Sequence, residues 1–181
     1  MQSLNKFDNS DFNHGRNILI RSLWYIINSL LFNSYLLPFS SLKKMILRLF
    51  GSKIGKGVVI KPKVNIKYPW NLYIGNYVWI GENVWIDNLD KVNIEDNVCV
   101  SQGVMLLCGN HNYKKETFDL LTGPIHLKKG SWIGAKSIVC PNVTVEKYAI
   151  LTVNSVATRN LKKNTIYQGN PAKPIRQRIN S

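Results

Sequence analysis

Residues 72–106 read LYIGNYVWIGENVWIDNLDKVNIEDNVCVSQGVML. Within this stretch a branched apolar residue returns at every sixth position, at Ile74, Ile80 and Ile86 and again at Ile94, Val100 and Leu106. A half-buried strand alternates every second residue and a helix repeats about every 3.6, so a period of six requires another geometry. Three hexads per turn supply it. If each hexad is one short strand and a corner, about eighteen residues close a triangular coil whose beat residues all point to the axis of a prism.

The beat runs on in both directions, through Ile54, Ile60 and Ile66 upstream and through Leu127, Ile133, Val139, Val145, Leu151 and Ala157 downstream. A small residue often follows it, as in IGKGVV, IGNYVW, IGENVW and IGAKSI. Two positions before the next beat stand Val58, Val64, Val78, Val84, Val98, Val104, Ser137, Val143 and Ser155, which suits a second inward side chain close to a corner. Gly and Asn supply the unusual dihedrals that corners need. The expected fold is an all-β solenoid over residues 51–162, its stacked coils burying one continuous aliphatic core.

The register slips are as informative. Ile66 to Ile74 and Ile86 to Ile94 are each eight residues apart, which places a two-residue bulge on the third face of the first two coils. Leu106 and Leu127 are twenty-one positions apart, best read as a loop of about residues 110–124 thrown out from one corner. Long loops on rigid solenoids usually carry function.

The 181 residues hold one such domain plus an extension, and the formal charge is +14. By segment it is +5 over residues 1–53, +3 over 54–158 and +6 over 159–181, so the excess sits at the two ends and favours anionic partners there. No nucleic-acid motif accompanies it, so no nucleic-acid partner is expected. Cys99, Cys108 and Cys140 do not make an even disulfide set, and no signal peptide opens the sequence; a reducing, cytoplasmic setting is expected.

Residues 1–50 break the beat. The stretch 16–50 is rich in Leu, Ile and aromatics, lacks acids, and reads as two helices split near Pro38. The run Ile18 to Leu37 is about the length of a bilayer span, yet Arg21, Asn28, Ser29, Asn33 and Ser34 interrupt it. The second helix places Lys43, Lys44 and Arg48 beside Met45, Ile46, Leu47 and Leu49, a pattern of helices that lie in the headgroup region, here at the inner face of the membrane. Two readings stay open together, peripheral membrane contact through residues 16–50 and capping of the open solenoid end or subunit contact. A true span is the third.

Of three histidines, His111 stands at the root of the extruded loop, in CGNHNY. An imidazole is the usual proton acceptor for a hydroxyl or amine nucleophile near neutrality. Cys108 invites thiol chemistry, although an apolar cysteine beside the core is the commoner case.

The hexads, the loop holding GNHNY, the following WIGAKSIV and the closing GNPAKPIR together resemble the hexapeptide-repeat acyltransferases, over about residues 51–178. The N-terminal helices and the run from WIDNLDKVNI to CVSQGVMLLCGNHNY resemble the colanic acid biosynthesis branch, near the galactoside and maltose acetyltransferases. The resemblance implies a left-handed parallel β-helix, an exception to the right-handed crossover rule, and a homotrimer. It implies acetyl transfer from acetyl-CoA, as co-substrate, to a hydroxyl of a saccharide in exopolysaccharide or capsule biosynthesis; the apolar N-terminal helices point to an acceptor carried on a lipid at the membrane face. No metal is expected. His111 matches the family's base, Trp132 a wall beside the imidazole, and Asn83, Asp87 and Asn88 acceptor-binding positions one coil earlier. Ala135 and Val153 match pantetheine contacts, while Lys173 and Arg176, in a basic tail over 163–181, match residues that reach the coenzyme A phosphates. Other readings are an N-acetyltransferase acting on an amino-sugar nucleotide, a non-catalytic scaffold, and a zinc site, which needs three imidazoles where only His111 and His126 lie in the solenoid.

Overall fold

Each hexad forms a strand of two or three residues, and equivalent hexads of successive coils pair in parallel register in the computed structural model, which describes residues 2–179. The first face of the prism carries Lys53–Ile54, Leu72–Ile74, Val92–Ile94, Ile125–Leu127 and Thr144–Val145. The second carries Val59–Ile60, Trp79–Ile80, Cys99–Val100, Trp132–Ile133 and Ile150–Leu151, and the third Asn65–Ile66, Trp85–Asp87, Met105–Leu107, Ile138–Val139 and Val156–Ala157. Every beat residue from Ile60 to Ala157 is buried, as is every Val or Ser assigned above to the second inward position. The architecture is the expected parallel β-solenoid.

The corners explain the small residues. The third residue after the beat takes a left-handed backbone at Gly57, Asn83, Asn97, Gly103, Gly130, Asn142 and Asn154. Asn tolerates that region better than most residues because its short side chain bonds locally. The glycine directly after the beat has a different reason. A Cβ on Gly81 would stand 2.5 Å from the Gln102 nitrogen, so the coils can stack only without it.

The two-residue excess lies outside the strands of the third face, in the corner that follows it. Ile66 leads into a 3₁₀ turn at Pro69–Asn71, and Asp87 into residues 88–91, before the first face resumes at Leu72 and Val92. The extruded segment leaves from the same corner and is a β-hairpin, with Gly109–His111 antiparallel to Leu120–Thr122.

Helix α1 (Ile18–Ile27), a π turn (Asn28–Phe32) and helix α2 (Ser40–Leu49) close the first coil. Trp24, Phe32 and Leu47 plug the prism, and polar side chains satisfy its open strand edges. Arg48 donates to the Ile54 carbonyl at 2.7 Å, Lys43 Nζ to the Lys61 carbonyl at 2.7 Å, and Trp24 Nε1 to the Ile66 carbonyl at 2.8 Å. Ser40 Oγ accepts from the Ile60 N–H, and Asn28 Oδ1 from the Ile66 N–H. Capping is therefore a role of the extension. The span reading fails: no helix among the described residues is long and apolar enough to cross a membrane.

Within the basic tail, residues 165–177 form a hairpin. Thr165–Gly169 extends the second face in parallel beside Ile150–Leu151, and Ala172–Gln177 folds back antiparallel upon it.

Candidate active site

Three departures from the shortest coil stack at one corner, between the third and first faces: residues 67–71, 88–91 and the hairpin. With the N-terminal arm they enclose a cleft of about 610 Å³. His111 lines it.

His111 ends the first hairpin strand, opposite Leu120. Its Nδ1 stands 2.9 Å from the Phe118 carbonyl oxygen. That oxygen can only accept, so the hydrogen-bond network assigns the proton to Nδ1 and leaves a lone pair on Nε2. The imidazole stacks on the Phe118 ring, with centroids 4.4 Å apart and planes within 1°, and the Phe7 ring meets it edge-on at 5.7 Å. Phe118 holds a φ of +50°, which is costly for a side chain of its size. The hairpin tip sustains that strain through an ion pair of Lys115 with Asp119 at 2.7 Å and a hydrogen bond from Thr117 to Asp119. The same two bonds, the one from Lys115 first, hold the Asp119 carboxyl below its ordinary range.

The arm before α1 forms the outer wall with Phe7, Phe12 and His14. It is pinned at both ends. Ser3 N–H donates to the Glu116 carbonyl at 2.8 Å and Lys6 pairs with Glu116 at 2.8 Å, while Trp70 Nε1 donates to the His14 carbonyl at 2.9 Å. Gly15 has a φ of +73°, and a Cβ there would meet the Trp70 indole at 2.8 Å, so this turn requires glycine. His14 Nδ1 lies 2.9 Å from the Tyr68 hydroxyl, and Tyr68 stacks on Trp70 at 5.0 Å. Nothing in the sequence of the arm pointed to the site, because its partners lie at least 54 residues away.

Asp87 belongs to the cleft wall. Lys67 Nζ stands 3.1 Å from its Oδ1, off the direction a hydrogen bond requires, so this buried oxygen is charge-compensated without a hydrogen bond. Asn88 does not face an acceptor: it is fully buried, accepting from the Tyr68 N–H at 2.9 Å and donating to the Tyr68 carbonyl. Its amide staples two coils together. Asn83 is a left-handed corner residue between the second and third faces, away from His111. Trp132 lies half-exposed on the second face, its Nε1 donating to Ser101 Oγ at 2.9 Å, and within one chain it does not line the His111 cleft.

The residues expected to meet the coenzyme lie away from His111, Ala135, Val153 and Lys173 near a different corner and Arg176 further along the C-terminal hairpin. The Ala135 carbonyl accepts from Asn154 N–H at 2.9 Å, placing Ala135 and the exposed Val153 on adjacent coils, and Ser155 Oγ accepts from Gly169 N–H at 3.0 Å, bringing the C-terminal hairpin turn alongside. Lys173 faces Gln168 in that hairpin, and Arg176 faces Ile166 further along. Small residues backed by two cations suit a thin pantetheine arm ending in phosphates.

Cys108 is fully buried, and burial pushes its thiol up to about 12. It stays protonated near neutrality and is no nucleophile.

No protein-family model matches the chain. The Escherichia coli K12 protein named WcaF, for colanic acid biosynthesis acetyltransferase, is 32% identical over 179 residues, spanning 99% of this chain and 98% of WcaF. The galactoside O-acetyltransferase of Escherichia coli is 26% identical over 127 residues, 68% of this chain and 63% of that protein. A hexapeptide-repeat acetyltransferase of Vibrio cholerae, solved with acetyl coenzyme A, has a TM-score of 0.79 at 21% identity and covers 90% of this chain and 88% of that one. Fold and relatives define a left-handed β-helix acyltransferase of the hexapeptide-repeat class. Within that class the chain belongs to the WcaF family of acetyltransferases.

Proposed function

We propose that the protein transfers acetyl from acetyl-CoA to a saccharide hydroxyl in exopolysaccharide or capsule biosynthesis, with His111 as general base. The observation that carries this reading is the tautomer of His111, whose Nδ1 is engaged by Phe118 and whose Nε2 is the unprotonated nitrogen of a cleft-lining ring. Nε2 takes the hydroxyl proton while the sugar oxygen attacks the thioester carbonyl. The C–S bond then breaks, and the imidazolium returns the proton to the departing thiolate. Such catalysis contributes about 10² to 10⁴-fold. Asp87 orients the acceptor through its carboxylate, and Ala135, Val153, Lys173 and Arg176 hold the coenzyme.

In one chain the His111 corner and the coenzyme corner are separate, so the reading includes a homotrimer in which a neighbouring copy brings its coenzyme corner and Trp132 to His111. Trp79 and Trp132, 60% and 46% exposed on the flat second face, support such a contact. The acceptor is lipid-linked in this reading, and α1, α2 and the segment between them rest on an anionic membrane surface through exposed residues such as Leu19, Tyr25, Leu36 and Leu49.

The test is His111→Ala, with coenzyme A release followed over a panel of saccharides and folding checked by circular dichroism. A folded variant slowed by two orders of magnitude or more is expected. Unchanged turnover would sink the assignment.

A further inference from the structure

We propose that Arg21, together with Lys67, seats the diphosphate of a glycosyl diphosphate acceptor, at the point where the His111 cleft opens into a second groove along α1. This rests on reading that cleft as the acceptor end. The second groove, of about 670 Å³, is lined by Ile18, Arg21, Tyr25 and Ile26, and it shares Lys67 and Tyr68 with the His111 cleft. One path therefore runs from the imidazole past Asp87 to two cations and on to an apolar surface.

Arg21 is a half-buried cation with nothing to bind. It makes no ion pair among the described residues, and its Nε is buried without a hydrogen-bond partner. The chain between Asp11 and Glu82 holds ten Lys and Arg and no acid, so the surroundings supply no carboxylate; Asp87, from the next coil, reaches only Lys67. His14, between them, feels both charges: burial first, then Arg21 and Lys67, lower its pKa. An unpartnered donor on a groove-lining arginine calls for an acceptor, and guanidinium groups match the planar, bidentate geometry of phosphate oxygens.

The order of chemistry along the path selects the ligand. A saccharide hydroxyl belongs at His111 and Asp87, a phosphate linkage at Lys67 and Arg21, and an apolar group beyond. Ile18 and Ile26 are 62% and 53% exposed there, continuous with Leu19 and Leu23 on the outer surface of α1. That sequence describes a sugar joined through diphosphate to a prenyl-type chain. A nucleotide sugar shares the diphosphate and differs only in the group beyond it.

The experiment titrates the full-length protein, saturated with coenzyme A so that the coenzyme's own diphosphate site is filled, with geranyl diphosphate, uridine diphosphate and geraniol in a calorimeter. Geranyl diphosphate is expected to bind at least tenfold more tightly than either other probe. Arg21→Gln is expected to weaken it at least tenfold while leaving coenzyme A affinity unchanged, and Arg21→Lys to restore part of the loss. Uridine diphosphate binding as tightly with the same dependence on Arg21 supports the seat and overturns the lipid source. Binding indifferent to Arg21→Gln overturns the seat itself. No turnover is read, so failure here leaves the His111 chemistry standing, and loss of that chemistry leaves this binding measurable.

Discussion

The Phe118 carbonyl oxygen stands 2.9 Å from His111 Nδ1 while the Phe118 ring lies parallel to the imidazole at 4.4 Å. One strained residue thus sets both the tautomer and the plane of the imidazole. Phe118→Gly relieves the backbone strain and removes the ring, so kcat should fall about tenfold with thermal stability unchanged or slightly raised. Steady-state kinetics beside a melting curve read both. An unaltered kcat would show that the hairpin orients His111 without the stack.

Adjacent carboxylate and amide side chains at 87 and 88 have different surroundings, Asp87 lining the cleft and Asn88 fully buried. Asp87→Asn should raise the acceptor KM about tenfold, since a carboxylate accepts from hydroxyls more strongly than an amide, with little effect on acetyl-CoA. Asn88→Ala should instead lower stability by about 2–3 kcal/mol, because it orphans the Tyr68 N–H and carbonyl inside the wall. Acceptor kinetics and urea unfolding of the two variants separate the roles; interchanged outcomes would refute them.

Lys43 is fully buried against Phe32, and burial lowers its pKa from the ordinary 10.5 to about 8. Between those values the unfolded chain keeps the proton that the folded one has released. Raising pH through this window therefore favours the folded state, by about 3 kcal/mol at most. Melting temperature relative to Lys43→Met should climb between pH 8 and 9.5. A constant difference across that range would mean Lys43 titrates normally.

The outer surface of α1 and α2 should bring the protein down with sedimenting vesicles rich in anionic lipid, and less so at high salt. Leu19→Ser with Phe39→Ser, at positions 77% and 63% exposed, should reduce the bound fraction at least fivefold. Protein that stays in the supernatant with every vesicle composition would remove membrane contact from the proposal.

The solenoid was legible because its period is local and strict: Ile74, Ile80 and Ile86 announce three faces before any contact is known. His111 was legible because it sits where the period stops. Phe7, His14, Tyr68 and Lys67 were not, since a wall made from an arm and an inserted corner has no periodic signature. Asn83 carries two readings in sequence, a corner residue and an acceptor contact; its backbone at φ +56° accounts for the first, and within one chain it stands at a corner other than that of His111.

All the irregularity of the coils is stored at one edge of the prism. Residues 67–71, 88–91 and 109–122 lie there outside the inward-facing register, so apart from the Asn88 staple and the buried Pro69 their composition is largely independent of the packing of Ile66, Ile86 and Leu106. Such a layout lets a lineage rewrite what the enzyme accepts by exchanging three short segments, while the load of keeping the chain folded stays on residues that never change face.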